Sequence, residues 1–230
     1  MKIGILAAMS VEYEQLVRLM EHPETIEKQR LNFTLGRIGP HNIVLMQCGI
    51  GKVNAAMGTM VMIHEFQPQS IISTGCAGGI DPALRIMDVV VSSELAYHDV
   101  DCGEGLGCTP GQIQGLPPRF PSDEGLVQAA KALQTDVRVH AGLILTGDQF
   151  ITHRPALDRI KESFPEGMAV DMESAAIAQV CYLQGVPFVS FRVISDTPGT
   201  DQHQEQYENF WQTLADRSFG VTRHFLEAIE

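Results

Sequence analysis

Lys2-Ile3-Gly4-Ile5-Leu6-Ala7-Ala8, residues 2–8, predicts how this chain begins to fold. The run is apolar almost throughout, and Glu12 follows within four residues. An uninterrupted apolar run of this length is typical of a strand buried on both faces, as in a parallel sheet. A secretory signal peptide would need a small-residue cleavage site after its apolar segment, whereas the acidic Glu12 follows this run. We therefore interpret residues 2–8 as a buried strand.

Similar apolar runs recur along the chain and alternate with helical patterns. They predict strands over residues 33–38, 43–48, 70–74, 88–92, 139–146 and 188–194. Asn42 after Pro40-His41 favours a hairpin between the second and third of the predicted strands. The alternation predicts a single α/β domain over residues 1–230, a three-layer α/β/α arrangement around a mixed, largely parallel sheet.

Helical periodicity fills the gaps between the strands. It predicts helices over residues 53–65, 123–133 and 174–184, with Ser122 as an N-cap and Gly185 as a terminator. A last helix carries Tyr207, Phe210, Trp211 and Leu214 at i, i+3, i+4 and i+7. Residues 101–121 are rich in Gly and Pro, and a loop of that length is usually functional or mobile.

Composition argues against several classes of protein. The 230 residues include 16 basic and 28 acidic side chains, a formal net charge of −12, so the basic footprint of a nucleic-acid binder is missing. An acidic surface also repels anionic membranes, and no apolar stretch reaches the roughly 18 residues of a membrane helix. Five cysteines without a CxxC motif favour a reducing cytoplasm over disulfides or a zinc site.

Three acidic residues stand where an α/β protein places its chemistry, at strand ends and helix starts. They are Glu12, Glu173 and Asp196. Each of them also fits a purely structural role, because first-turn acids favour helices and an Asp before Thr197-Pro198-Gly199 can cap a turn. Together they predict acid–base cleavage of an N-glycosidic bond.

Two glycine-rich segments suggest ligand loops without matching a known phosphate motif. Gly49-Ile50-Gly51-Lys52 lacks the P-loop spacing, and residues 75–79, Gly-Cys-Ala-Gly-Gly, are not GxGxxG. The second segment is either a tight turn or a backbone cradle that lets a ligand approach closely.

Two further candidates have weak support. Cys76 has no His or Asn partner that the sequence can place beside it, so a nucleophilic role is disfavoured. His98, Asp99 and Asp101 lack the spacing of a metal site, and a loop or interface role fits them better.

The ordered set of motifs resembles one family from residue 1 to about 225. The motifs are Gly4-Ile5, Ala8-Met9, Glu12, Gly49 to Ala56, Thr74 to Gly79, Tyr97-His98-Asp99, Gly147 to Phe150, Asp171 to Ala176 and Arg192 to Asp196. The chain resembles the methylthioadenosine/S-adenosylhomocysteine nucleosidases, which have the purine nucleoside phosphorylase fold. The resemblance implies hydrolysis that releases adenine from a 5′-thio-substituted ribose, without a metal or cofactor.

The resemblance also implies roles for individual residues. Asp196 would be the general acid at purine N7 and must keep its proton, whereas Glu12 would hold and deprotonate the water and must stay ionised. Glu173 and Met172 would hold the ribose hydroxyls. The remaining binding residues implied are Met9, Ile50, Cys76, Ala77, Gly78, Phe150, Ile151, Arg192, Ser195 and Tyr207. Family members are homodimers, and Cys102 would lie near the pocket that the partner chain completes.

Departures from the family pattern leave the preferred 5′ substituent open. Cys76 stands where the family commonly has serine, Ser10 and Val11 replace residues that are usually acidic, and residues 103–116 depart from the pattern around Cys102. A futalosine-type nucleoside is therefore an alternative substrate. A phosphorylase would need cationic partners for phosphate, and neutral Ser73 stands where such enzymes carry arginine. A non-catalytic nucleoside-binding protein would not need Glu12.

Overall fold

Ten strands and seven α-helices occur within residues 1–211 and 215–229, the part of the chain that this computed structural model describes. The strands are β1 (Lys2–Ala7), β2 (Glu21–Lys28), β3 (Leu31–Ile38), β4 (His41–Gln47), β5 (Ser70–Gly79), β6 (Val89–Tyr97), β7 (Phe120–Pro121), β8 (Val139–Thr146), β9 (Gly167–Asp171) and β10 (Phe188–Asp196). The helices are α1 (Ser10–Leu19), α2 (Lys52–Phe66), α3 (Glu124–Lys131), α4 (Arg154–Ser163), α5 (Ser174–Gln184), α6 (His203–Asn209) and α7 (Ala215–Ala228).

The strands form one mixed sheet whose centre is parallel. Strands β4, β1, β5 and β10 run parallel to one another, while β2 and β3 extend one side as antiparallel strands. On the other side, β9, β8 and β6 lead from β5 back to β10, so five strands close on themselves. The closure brings the carboxyl ends of β5, β9 and β10 together.

Helices cover both faces of the sheet, which confirms the predicted α/β/α class. One apolar cluster joins α1, α3 and α7 to the sheet through Leu16, Leu126 and Phe225. A second joins α2 and α5 to it through Met62 and Ile177, and a third joins α4 to it through Leu157 and Ile160. None of the helices within the described residues is both long and apolar enough to cross a bilayer.

Besides the two-residue β7, the structure contains two strands that hydrophobic patterning did not predict. Strand β2 has the polar sequence Glu-His-Pro-Glu-Thr-Ile-Glu-Lys and is exposed along nearly its whole length. It lies at the sheet edge, where a strand can be polar and can include Pro23. Strand β9 is five residues long, too short to give a periodic signal.

Several predicted boundaries move in the structure. The N-cap of α3 is Asp123 and not Ser122, because the Asp123 carboxylate accepts a 3.0 Å hydrogen bond from the Leu126 amide. Ser122 instead hydrogen-bonds Ser92 through the two hydroxyls, at 2.6 Å. Strand β5 continues to Gly79, so residues 75–79 are extended backbone and not a tight turn, the first of the two interpretations.

The predicted last helix is described in two parts. Tyr207 lies in α6, Phe210 and Trp211 continue after it in π-helical conformation, and α7 is described from Ala215 onward. The predicted helical position of Leu214 falls outside the described residues. The long loop of residues 101–121 has a 3₁₀ turn at Glu104–Leu106 and ends in β7, which pairs with β6.

Candidate active site

A cavity of about 390 Å³ opens where β5, β9 and β10 end. The predicted site residues that line it are Met9, Glu12, Ile50, Cys76, Ala77, Gly78, Phe150, Met172, Glu173, Arg192, Ser195, Asp196 and Tyr207. Its volume lies in the range of about 300–1,000 Å³ that small-molecule sites occupy. Ile151 borders a smaller adjoining pocket, and Cys102 borders neither.

Three backbone amides hold the Glu12 carboxylate in one position. Glu12 Oε2 accepts hydrogen bonds from the amides of Ala8 and Met9, each 3.0 Å long, and Oε1 accepts one of 3.1 Å from Cys76. The first two donors lie at the turn into α1, and the third lies on β5. Glu12 is thereby fixed between the helix and the sheet with 1% of its surface exposed.

Glycine at position 75 makes this arrangement possible. Gly75 has φ of +150°, and a Cβ there would collide with the Glu12 carboxylate and lie 2.7 Å from Arg192 Nη1. Burial raises the pKa of Glu12, while the Arg192 guanidinium and the three amides oppose that rise.

Arg192 lies at the centre of a buried polar network. Its Nε is 3.0 Å from Asp171 Oδ2, and its Nη2 donates to Ser73 Oγ at 2.7 Å and to Ser174 Oγ at 2.9 Å. Nη2 is also 3.8 Å from Glu173 Oε2. Two of its three nitrogens, Nε and Nη2, are thus engaged by protein groups before any ligand enters.

Glu173 is the second carboxylate of the cavity. Its Oε1 accepts a 2.9 Å hydrogen bond from the Gly51 amide, which ties it to the turn before α2. Burial raises the pKa of Glu173 to about 7, and Asp171 adds to the rise while Arg192 opposes it. At neutral pH this group therefore exchanges between acceptor and donor, a property suited to binding hydroxyls.

Asp196 is the third carboxylate and ends β10. Ser195 Oγ donates to its Oδ1 at 2.6 Å, and His203 Nε2 lies 2.9 Å from its Oδ2. Burial raises the pKa of Asp196, against the opposing influence of Ser195 and His203. Burial raises the pKa of both Glu12 and Asp196, so the direction of the pKa shift does not distinguish their roles. Their neighbours do distinguish them, because backbone amides hold Glu12, whereas the side chains of Ser195 and His203 contact Asp196.

Glu12 and Asp196 both adjoin β5, at positions two residues apart. Glu12 is held by the amide of Cys76, while Asp196 pairs in register with Gly78 of β5. Two residues of strand span about 7 Å, so one carboxylate can face each side of a small ligand.

Aromatic side chains cover one wall of the cavity. The Phe150 ring lies 5.3 Å from the His203 ring and 5.4 Å from the Tyr207 ring, and Tyr207 Oη is 3.7 Å from Met9 Sδ. Phe150 is 52% exposed, which leaves its face free to stack on a planar ligand.

A charged clamp joins the two loops at the cavity mouth. Lys52 Nζ donates to both Asp99 oxygens at 2.7 and 2.8 Å, and the Lys52 amide donates to Asp148 Oδ1 at 2.8 Å. The Asp148 amide in turn donates to Asp99 Oδ2 at 2.8 Å. Gly51, whose amide donates to Glu173, directly precedes Lys52, and Phe150 follows Asp148 by two residues. The clamp therefore sets the distance between the Gly51 amide and the Phe150 ring.

Cys76 and Asp99 have surroundings that oppose covalent catalysis and metal binding. Burial and the neighbouring Glu12 raise the pKa of Cys76 well above its ordinary value, which disfavours the thiolate. Asp99 pairs with Lys52 in a partly buried ion pair. Within the described residues, no cluster of three or more His, Cys, Asp or Glu side chains could hold a metal ion.

Two residues of the site were not predicted from the sequence. The sequence pattern included Asp171 only as the first residue of a motif. In the structure it accepts a 2.6 Å hydrogen bond from Thr146 Oγ1 and forms an ion pair with Arg192. His203 lies in the polar run Gln202-His203-Gln204, which predicts exposure, but only 4% of its surface is exposed.

Comparison with known proteins first defines the class. The sequence model of the phosphorylase superfamily matches residues 2–227. A curated 5′-methylthioadenosine/S-adenosylhomocysteine nucleosidase of Geobacillus thermodenitrificans is 42% identical over 233 aligned residues, which cover 100% of this chain and 98% of the relative.

Solved structures agree at the level of the whole chain. The nucleosidase of Colwellia psychrerythraea 34H, in complex with adenine, has a TM-score of 0.93 at 36% identity and covers 100% of this chain and 96% of its own. That of S. pneumoniae, with the transition-state inhibitor MT-ImmA, has a TM-score of 0.93 at 36% identity over 100% of both chains. The chain therefore belongs to the phosphorylase superfamily and, within it, to the 5′-methylthioadenosine/S-adenosylhomocysteine nucleosidases, as the motifs predicted.

Proposed function

We propose that this protein hydrolyses the N-glycosidic bond of 5′-methylthioadenosine and S-adenosylhomocysteine, releasing adenine and the 5-thio-substituted ribose. The observation that carries the proposal is that Glu12, Glu173 and Asp196 line one cavity of suitable volume. The names of the relatives support the substrate class, and the adenine and inhibitor complexes of two of them support a purine site in this fold.

The proposed reaction uses the carboxylates in separate roles. Asp196 gives a proton to purine N7 while the C1′–N9 bond breaks and its electron pair stays on adenine. Glu12 takes a proton from the water that attacks C1′, and Glu173 with Met172 holds the ribose hydroxyls. Protonation of the leaving adenine and deprotonation of the water each raise the rate by about 10²–10⁴-fold for a well-placed acid or base. A carboxylate near the cationic sugar stabilises the oxocarbenium-like transition state as well.

Charge supports water over phosphate as the nucleophile. Among the described residues that line the cavity, Arg192 is the one cationic side chain, and Asp171 and Glu173 already neutralise it. A phosphate dianion beside Glu12 would meet repulsion without a free cation to offset it.

The apolar end of the site supports a pairing of two chains. Ile50 lies two residues before α2, Val53 and Met57 lie in its first two turns, and the three are 52%, 78% and 49% exposed. An exposed apolar strip beside a cavity mouth is typical of an interaction surface. We therefore include a cytoplasmic homodimer in the proposal, with residues 1–230 as its single domain and Cys102 near the partner's 5′ pocket.

One experiment tests the reaction. Purified protein is incubated with methylthioadenosine, with and without phosphate, and the purine and sugar products are separated by chromatography. Adenine and free methylthioribose at the same rate in both reactions are expected. Methylthioribose 1-phosphate formed only with phosphate would identify a phosphorylase, and turnover of a futalosine-type nucleoside alone would change the substrate.

The assignment of the acid has a test of its own. Asp196→Asn should abolish hydrolysis while the protein still unfolds cooperatively, because an amide cannot give N7 a proton. Turnover close to that of the unaltered protein would show that Asp196 is not the acid.

A further inference from the structure

Helix α6 and its continuation turn one face toward the end of β10 and the cavity. Four residues at i, i+3, i+4 and i+7 form this face: His203, Gln206, Tyr207 and Phe210. Only 4% of the His203 surface and 1% of the Phe210 surface are exposed, and Tyr207 lines the cavity. The position of α6 therefore fixes part of the cavity wall.

Helix α6 is too short to stay in place through its own backbone hydrogen bonds. It has seven residues, whereas isolated helices shorter than about 12–15 residues are marginal in water. Burial of Phe210 and the contacts of the Phe150 ring with His203 and Tyr207 attach it to the protein. Apolar contacts are not directional, so they leave the exact placement of the helix open.

The Gln206 side chain adds a directional contact. Its Oε1 accepts a 2.9 Å hydrogen bond from the backbone amide of Thr197, the residue directly after Asp196. The Thr197 carbonyl in turn accepts a 2.9 Å hydrogen bond from Thr200 Oγ1, which closes the turn that leads into α6. Gln206 thus ties the middle of α6 to the end of β10.

Asp196 has supports of its own that do not depend on this tie. Ser195 Oγ donates to Asp196 Oδ1 at 2.6 Å, and Asp196 pairs in register with Gly78 of β5. Loss of the Gln206 hydrogen bond should therefore leave the carboxyl group in place. Its effect should fall on the wall that Tyr207 contributes.

We propose that Gln206 is a positioning residue of the site, whose hydrogen bond to the Thr197 amide places Tyr207 on the cavity wall before a nucleoside binds. The proposal rests on the proposed function, in which a purine nucleoside occupies this cavity. A protein whose binding-competent arrangement is populated only part of the time binds its ligand more weakly in proportion. The bound ligand restores α6 to its place, so the chemical step starts from the same arrangement.

The test compares two substitutions of Gln206 with the unaltered protein. Gln206→Met keeps an unbranched side chain of similar length but removes the acceptor, whereas Gln206→Glu keeps an oxygen acceptor at that place. We expect Gln206→Met to raise KM for methylthioadenosine and Kd for adenine by about threefold to tenfold, as for one lost hydrogen bond, with kcat nearly unchanged. Gln206→Glu should recover most of the affinity. Gln204→Met removes only an exposed hydrogen bond to Glu208 on the same helix and is the matched control.

Trp211 gives a readout that does not require turnover. It is the single tryptophan of the chain, and its ring lies 6.2 Å from the Tyr207 ring. Acrylamide quenching of its fluorescence should increase in Gln206→Met and stay unchanged in Gln206→Glu and in the control. Saturating adenine should reduce the increase, because the bound state has α6 in place.

Three results would overturn the proposal. They are unchanged KM and quenching in Gln206→Met, a fall in kcat at constant KM, and a defect of Gln206→Glu equal to that of Gln206→Met. The second would mean that the bond serves the reacting groups, and the third that the side chain acts by packing. Failure of the proposed function is distinguishable from these results. If the unaltered protein does not hydrolyse methylthioadenosine, the nucleosidase assignment falls, while Trp211 quenching in the variants still decides whether Gln206 places α6.

Discussion

The carboxylate of Glu12 and the backbone amide of Cys76 are joined by a 3.1 Å hydrogen bond, although 64 positions separate them in the chain. The bond fastens the first turn of α1 to β5, and the amides of Ala8 and Met9 occupy the other oxygen. With both oxygens held, Glu12 has one fixed orientation, as its proposed role of holding and deprotonating a water molecule requires.

Glu12→Gln should lower kcat by about 10²–10⁴-fold, the usual contribution of a general base, while adenine binding persists. The amide keeps the volume of the side chain but cannot take a proton. Steady-state kinetics and calorimetric titration with adenine measure the two effects. Glu14→Gln, an exposed change on the same helix, is the control and should behave as the unaltered protein. Loss of adenine binding as well would indicate a structural role.

Cys76→Ser should retain turnover within about tenfold, against the roughly 10⁶-fold loss that follows removal of a catalytic nucleophile. The raised thiol pKa keeps sulfur protonated, and the backbone amide that holds Glu12 is unchanged by the substitution. Initial rates with methylthioadenosine measure the effect. A loss approaching that of a missing nucleophile would revive covalent catalysis.

Lys52→Met should raise KM by about tenfold, equivalent to about 1.4 kcal/mol, because Asp99 loses its charged donor beside Asp148. The two loops then move apart, which changes the distance between the Phe150 ring and the Gly51 amide that donates to Glu173. Lys52→Arg should recover part of the affinity. Lys28→Met removes an exposed pair with Glu65 at 3.6 Å and is the control. A fall in kcat at constant KM would contradict a positioning role for the clamp.

Glu173→Gln should abolish most turnover and make the protein more stable than the original at pH 8, by about 1–3 kcal/mol. Burial raises the pKa of Glu173 to about 7 from an ordinary value of 4.5. A carboxyl group of this kind favours the folded state at low pH and loses that contribution as pH rises from about 4.5 through about 7. Urea unfolding at pH 5 and pH 8 measures the difference, which should shrink at pH 5. Equal stabilities at pH 8 would contradict the burial effect.

Local sequence was sufficient for most of the sheet. The first strand, the hairpin before β4 and strand β10 are apolar or turn-forming over their own lengths, so pattern and structure agree. Strand β2 is stabilised by pairing at an edge and not by burial, so its polar sequence gives no hydrophobic signal. Tertiary contacts also decide the role of Ser122, since a Ser or an Asp at that point can each cap a helix and only the neighbouring Ser92 distinguishes them.

The motifs by themselves identified the family, the fold class and the three acidic residues of the candidate site, because these depend on residue types in order along the chain. Only the tertiary structure decided which atoms meet. Closure of β5 onto β10 brings Glu12 and Asp196 to two positions of one strand, and it neutralises Arg192 among Asp171 and Glu173. It also buries His203 against Asp196, a contact that no local pattern encodes because it depends on where α6 returns to the sheet.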